Sequence, residues 1–189
     1  MKPNLQTATF AGGPARYAKA TFAGGCFWCT EAIFSRLKGV LKVIPGYSGG
    51  NIKNPTYEQV SAGSTGHAEA IQITYNPKEI SYEDLLYIFW KTHDPTTLNR
   101  QGNDVGKEYR SIIFYHSPQQ KMKVLKSKKI AQKVFRSPIV TEIIPYTNFY
   151  QAEGYHLKYY NKNPNATYCR LVIDPKIEKL KREFGKYLA

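Results

Sequence analysis

The stretch Ala18-Lys19-Ala20-Thr21-Phe22-Ala23-Gly24-Gly25-Cys26-Phe27-Trp28-Cys29 decides the fold class. Residues 18–23 read as a short strand. Two adjacent glycines then reach backbone conformations closed to side-chain-bearing residues, so 24–25 is a turn. A helix follows from 27 to about 37, ending at Gly39. A strand feeding a helix through a tight turn opens a sheet covered by helices, and the rest of the chain supplies more of both.

Residues 68–75 alternate in polarity and place Glu69, Ile71, Ile73 and Tyr75 on one face of a further strand. Ser81 caps a helix over 82–91, with Asp84 three residues on. Residues 111–116 are an apolar strand, and Ser117-Pro118 opens a lysine-rich helix running to about 135. Residues 140–145 predict a strand and 152–161 a helix. Asp174-Pro175 starts a last helix with Ile177, Leu180 and Phe184 inward. Between 40 and 60 the turn formers Pro45, Gly46, Gly49, Gly50, Asn51, Asn54 and Pro55 predict mostly loop. The expected architecture is an α+β single domain with extensive loops: a two-layer mixed sheet with covering helices, of the ferredoxin-like plait type. Residues 1–17 read as an N-terminal extension and 18–189 as the domain. Within the extension, 9–13 repeat the Thr-Phe-Ala-Gly-Gly of 21–25, too short a repeat for a solenoid.

A chain of 189 residues can bury a core without staples. Its net charge of +13 would suit nucleic acid, but the charges are scattered. The densest cluster, Lys121, Lys123, Lys126, Lys128, Lys129 and Lys133, reads as a solvated helix face. No apolar run is long enough for a signal peptide or a membrane span. Three cysteines are too few and too odd for a secreted disulfide scaffold, so a cytoplasmic home is expected.

Cys26 sits where a helix N-terminus points backbone N–H groups outward, and that dipole is expected to lower its thiol pKa. An inert buried cysteine is the plainer alternative. A zinc site is not expected, because no second Cys-x-x-Cys or histidine pair follows. If the Glu69 face is inward, desolvation keeps its carboxyl protonated near neutral pH. His67, beside it, is assigned no proton-transfer step.

Gly25-Cys26-Phe27-Trp28 resembles the signature of the peptide methionine sulfoxide reductase A family. Gly46-Tyr47-Ser48-Gly49-Gly50, Asn54-Pro55-Thr56-Tyr57, Gly66-His67-Ala68-Glu69, Gln101-Gly102-Asn103-Asp104-Val105-Gly106 and Tyr109-Arg110-Ser111 continue the resemblance in order. So do Phe149-Tyr150, His156 and Lys162-Asn163-Pro164. The resemblance implies reduction of the S epimer of methionine sulfoxide, free or within proteins, each epimer having its own enzyme. It implies Cys26 as nucleophile, Glu69 as acid, and Tyr57 and Tyr109 as hydroxyls around the sulfoxide oxygen. Asp104 matches a polar residue of the same site, and Phe27 and Trp28 match the residues holding the methyl group. Taken without the family, the tyrosines would be packing residues, Phe27 and Trp28 a buried first turn, and Asp104 a turn former.

The implied cycle leaves Cys26 as a sulfenic acid, which a second thiol converts to a disulfide that thioredoxin reduces. No metal or prosthetic group is expected; thioredoxin or dithiothreitol serves as external reductant, and the protein is expected to be a monomer. Many family members resolve with a cysteine in a glycine-rich tail. Here Cys169 lies where that tail would begin, but Arg170-Leu171-Val172-Ile173-Asp174-Pro175 follows, without glycines. Cys29, one helical turn from Cys26, is the other candidate. Cys169 is placed first and Cys29 second. Two other classes compete: a dithiol oxidoreductase built on Cys26-x-x-Cys29, which would need neither Glu69 nor the tyrosines, and a basic nucleic-acid-binding module, for which no motif is present.

Overall fold

The computed structural model describes residues 17–189, so the extension expected over 1–17 lies, but for Tyr17, outside the described residues. β1 (Ala18–Gly24) runs inside a six-stranded sheet. It pairs antiparallel with β3 (Ala68–Tyr75) on one side and β6 (Ser111–Tyr115) on the other. β2 (Val40–Ser48) lies antiparallel outside β3, and β7 (Glu142–Pro145) runs parallel outside β6. The two-residue β8 (Tyr150–Gln151) borders β2, giving the order β7-β6-β1-β3-β2-β8. A separate hairpin joins β4 (Arg100–Gln101) to β5 (Asp104–Val105).

The helices are α1 (Phe27–Phe34), α2 (Tyr57–Ser61), α3 (Tyr82–Thr92), α4 (Pro118–Gln132), α5 (Tyr159–Lys162) and α6 (Asp174–Phe184). The sheet face carrying Phe22, Ile71, Ile73 and Ile113 packs into one core with Ile33 of α1, Leu85 and Phe89 of α3, and Leu180 of α6. On the other face a small cluster of Ala23, Ala68, Ala70, Ile112 and Phe114 is covered by Ile144, Tyr146 and Phe149. The period of two along β3 therefore sets Glu69 beside Ile71 and Ile73, under α1, where it is 2% exposed. The capping box expected at Ser81 and Asp84 is present, and α4 exposes its lysines except Lys128, which donates to the Thr141 carbonyl.

Three expectations needed correction. The region 40–60 holds a nine-residue strand, β2, despite its turn formers. Pro45 is tolerated because its carbonyl accepts from Ala152 N–H, so its missing N–H faces the β8 side and no bond to β3 is lost. The helix expected over 152–161 is reduced to α5. Glu153 and His156 are taken up instead by tertiary hydrogen bonds, and Lys158 enters the left-handed region at φ 56°. The last helix begins before Asp174-Pro175, through a π-turn at Cys169–Ile173 that runs into α6. The wider turn fits a proline that cannot donate to a carbonyl four residues back.

Candidate active site

The turn that carries Cys26 is built from its glycines. Gly25 has φ +87°, and a Cβ there would collide with the side chain of Gln101 on the β4–β5 hairpin. Cys26 is the N-cap of α1: its carbonyl accepts from Cys29 N–H at 3.1 Å, while its side chain makes no capping bond. The first amide of the helix, the buried Phe27 N–H, donates instead to Glu69 Oε2 at 2.9 Å. Around Cys26, a cavity of about 210 Å³ is lined by Phe27, Trp28, Tyr57, Glu69, Asp104, Tyr109 and Tyr168. The structure thus brings together the acid, both tyrosines, the aspartate and both aromatic residues expected from sequence. They come from β3, the first turn of α2, β5, the 3₁₀ turn Lys107–Tyr109 and the first turn of α1.

Burial dominates the electrostatics. It pushes the Glu69 carboxyl from its ordinary 4.5 up to about 8, outweighing the Phe27 N–H, with Asp104 and Glu108 adding to the rise. Glu69 is therefore a proton donor at neutral pH. Burial also raises Tyr57 and Tyr109, which keep their phenolic protons. The expectation that the helix N-terminus lowers the Cys26 thiol is not met. Burial raises it, the neighbouring Cys29 and Glu69 raise it further, and the helix amide goes to Glu69. Cys29 is the lowered thiol, at about 6, with the neighbouring Cys26 thiol first among the causes and the charge of Lys176 after it; its Sγ lies 3.8 Å from Tyr168 Oη.

Trp28 is clamped. Its indole N–H donates to His156 Nδ1 at 3.0 Å, and its ring stacks on Tyr159 at 3.7 Å and 6°. Because Nδ1 accepts, the proton of this neutral imidazole sits on Nε2, a buried atom with no hydrogen-bond partner, 3.8 Å from Glu153 Oε2. Glu153 also accepts from Tyr47 Oη at 2.7 Å and from Tyr57 N–H at 2.8 Å, so it holds the first turn of α2 against the site. His67 is structural: Nδ1 accepts from Gly50 N–H and Nε2 donates to the Ile52 carbonyl.

Tyr168 was missed by sequence reasoning. Its hydroxyl donates to Asp104 Oδ2 at 2.7 Å and lies 3.8 Å from Cys29 Sγ. The signal available was only its place beside Cys169. Cys169 itself is fully buried on the π-turn, its thiol raised by burial, and it does not line the cavity. Among the described residues, all three cysteines are free thiols and no group of three or more His, Cys, Asp or Glu gathers to hold a metal ion. No helix among them is long and apolar enough to cross a membrane.

Comparison with known proteins is consistent with this geometry. The profile of the peptide methionine sulfoxide reductase family matches residues 18–188. The peptide methionine sulfoxide reductase MsrA of Sulfolobus acidocaldarius is 55% identical over 165 residues, covering 87% of this chain and 94% of that protein. The crystal structure of Saccharomyces cerevisiae Mxr1 in reduced form superposes with a TM-score of 0.76 at 37% identity, covering 88% of this chain and 96% of the other. Mxr1 in complex with Trx2 superposes with a TM-score of 0.55 at 30% identity, over 82% and 94% of the two chains.

Proposed function

The chain belongs to the peptide methionine sulfoxide reductase family, and from that premise we propose that it reduces the S epimer of methionine sulfoxide, free or within proteins, with Cys26 as nucleophile. The observation that carries the reading is Glu69, a carboxyl held neutral by burial and tied to the helix turn that presents the thiol. We read the strands β6-β1-β3-β2, with α1 and α3 as crossovers, as a ferredoxin-like plait that delivers Cys26 at the end of its first strand.

Sulfoxide oxygen leaves only when protonated. Cys26 sulfur attacks the substrate sulfur while Glu69 gives its proton to the oxygen, with the Tyr57 and Tyr109 hydroxyls donating hydrogen bonds to it. The thiol proton of Cys26 restores Glu69. The hydroxyl then passes from the substrate sulfur to the Cys26 sulfur as the S–S bond of the adduct breaks, which releases methionine and leaves Cys26 as a sulfenic acid. Phe27 and Trp28 hold the methyl group, and the Asp104–Tyr168 pair closes the polar side of the cavity. The high Cys26 pKa suits this order of events, because the thiolate forms only as the proton account of the complex allows.

Two features favour Cys29 over Cys169 as first resolver: it follows Cys26 by one turn of α1, and its thiol is lowered while that of Cys169 is raised. Cys29 thiolate attacks Cys26 sulfur, the hydroxide leaves as water with one added proton, and a Cys26–Cys29 disulfide remains. Cys169 then serves as a second thiol in exchange. An external dithiol returns both sulfurs to thiols and is itself oxidised; a thioredoxin is the proposed donor, supported by the Trx2 complex of the yeast relative. A reducing compartment and a monomeric state belong to the same proposal.

Methionine release from separated S- and R-sulfoxides, with dithiothreitol, tests the assignment. Turnover of the S epimer alone, lost in Cys26→Ser, supports it; a folded protein inert towards both epimers refutes it.

A further inference from the structure

We infer that Glu31, on α1, is a positioning residue for the methyl pocket, acting through Lys158 and Tyr159 on the face of Trp28. The inference rests on the role proposed above for Trp28.

Glu31 is a charged residue left only 3% exposed, and the reaction as derived does not use it. Its carboxylate oxygens accept from one donor, Lys158 N–H, at 2.8 and 3.0 Å. Lys158 is the N-cap of α5, stands in the left-handed region at φ 56° and ψ 36°, and offers no capping side chain of its own. The first amides of a helix need an acceptor, and here one arrives from another helix. A left-handed lysine persists only where its surroundings hold it, and Glu31 grips that residue by its amide.

The next residue is Tyr159, whose ring covers the Trp28 indole at 3.7 Å and 6°. The remaining Trp28 contacts are at edges or tilted: its N–H to His156, Tyr168 at 77°, and Phe27 at 41°. The stacked face therefore depends on where 158–159 sit. Glu31 and Trp28 are three residues apart on α1 and so share a face of it. Between them they hold the segment 156–159 at three points: the indole at His156 and Tyr159, the carboxylate at Lys158. A helix packing on a loop does not require a buried carboxylate, whereas fixing one amide and the ring beside it does use both oxygens. Burial raises the Glu31 carboxyl, so the position is held against a desolvation cost.

The test uses the full chain, free methionine S-sulfoxide and dithiothreitol. Glu31→Ala and Tyr159→Leu are each expected to raise KM about five- to tenfold, the size of a lost aromatic stack. The rate of Cys26 alkylation should not change in either. Glu31→Gln, which keeps one acceptor oxygen, should restore KM to within about twofold of wild type. Because both residues act through one contact, the double variant should be no worse than the worse single one. In a Trp90→Phe background Trp28 is the only tryptophan, and its emission should move to longer wavelength in Glu31→Ala without substrate present. A lowered Tm with unchanged KM and unchanged emission, or additive KM effects, would overturn the inference and leave Glu31 as a loop anchor only. Should Glu31→Ala not fold, Glu31→Asp, one methylene shorter, takes its place with the same opposed outcomes. A wild-type protein inert towards sulfoxide would sink the proposed function alone, since the emission shift still reads the position of Trp28.

Discussion

Replacing Glu69 with glutamine should stabilise the fold while removing catalysis. The carboxyl titrates at about 8 in the folded chain against an ordinary value of 4.5, because it is buried. Below the ordinary value it is protonated in both folded and unfolded chains and costs nothing. Between the two values the unfolded chain releases the proton and the folded chain keeps it, so stability falls by about 1.4 kcal/mol per pH unit. Above the folded value both forms ionise and the penalty levels off near ~5 kcal/mol; at neutral pH it is already ~3 kcal/mol. Glutamine carries no such penalty at any pH. Urea unfolding of Cys26→Ser and Cys26→Ser/Glu69→Gln, which excludes disulfide chemistry, should show the second gaining roughly 4 kcal/mol on the first between about pH 5 and pH 9. Any pH-independent packing difference cancels in that comparison. A gap that stays flat would mean that Glu69 titrates normally and is a carboxylate at neutral pH. It could not then give a proton to sulfoxide oxygen. On the catalytic side, with Cys26 present, Glu69→Gln should lose about 10²- to 10⁴-fold in kcat/KM, and wild-type activity should decline as pH rises through about 8.

Tyr168→Phe removes the hydroxyl that Asp104 accepts, and an unpaired acceptor at this depth costs about 1–3 kcal/mol. Steady-state kinetics should show roughly a ten- to hundredfold loss in kcat/KM, whereas an unchanged value would make Tyr168 a lid without a polar role. The Cys29 thiolate should be visible by ultraviolet absorbance with a midpoint near 6, moving up in Cys26→Ala, which removes the neighbouring thiol that lowers it most. A midpoint that ignores the substitution would assign the low value to Lys176 instead. His156, kept neutral by burial below the ordinary imidazole value of 6.5, becomes a donor at Nδ1 only in acid, where it would face the Trp28 N–H donor. KM for sulfoxide should therefore hold steady down through pH 6.5 and rise below it, and His156→Phe should show the raised KM without that pH dependence.

Strands β1, β3, β6 and β7 were legible because they obey short-range rules. The period of two along β3 placed Glu69 on one face with Ile71 and Ile73, a face the structure turns inward, and the Ser81 box announced α3. What was not legible depends on which neighbour arrives. Pro45 reads as a turn former until β2 turns out to lie near the sheet edge, with only the two-residue β8 outside it. The apparent helix at 152–161 dissolves because Glu153 and His156 bond to Tyr47, Tyr57 and Trp28, about a hundred residues away in sequence. Tyr168 was hidden for the same reason. Nothing near it in sequence signals Asp104, which reaches it from a hairpin that Gly102 and Asn103 turn.

The Cys26 thiol shows why a local rule can be correct and still give the wrong sign. A helix N-terminus does favour an anion, but at α1 its first amide is already taken by another side chain. That amide donates to Glu69 Oε2 at 2.9 Å, while the Cys26 side chain caps nothing. The dipole therefore opposes the burial that raises the Glu69 pKa, and without it the carboxyl would lie higher still. A value near neutrality suits an acid that must both release and regain a proton in each cycle. Burial raises the Cys26 thiol, whereas that of Cys29 is lowered. An unreacted Cys26 kept as a thiol is a poor target for indiscriminate oxidation or alkylation, and it becomes a nucleophile when a sulfoxide oxygen is present to take the proton of Glu69. Slow alkylation of Cys26 in the free enzyme at neutral pH would be the signature of that arrangement. Fast alkylation of the free enzyme at Cys26 would contradict it.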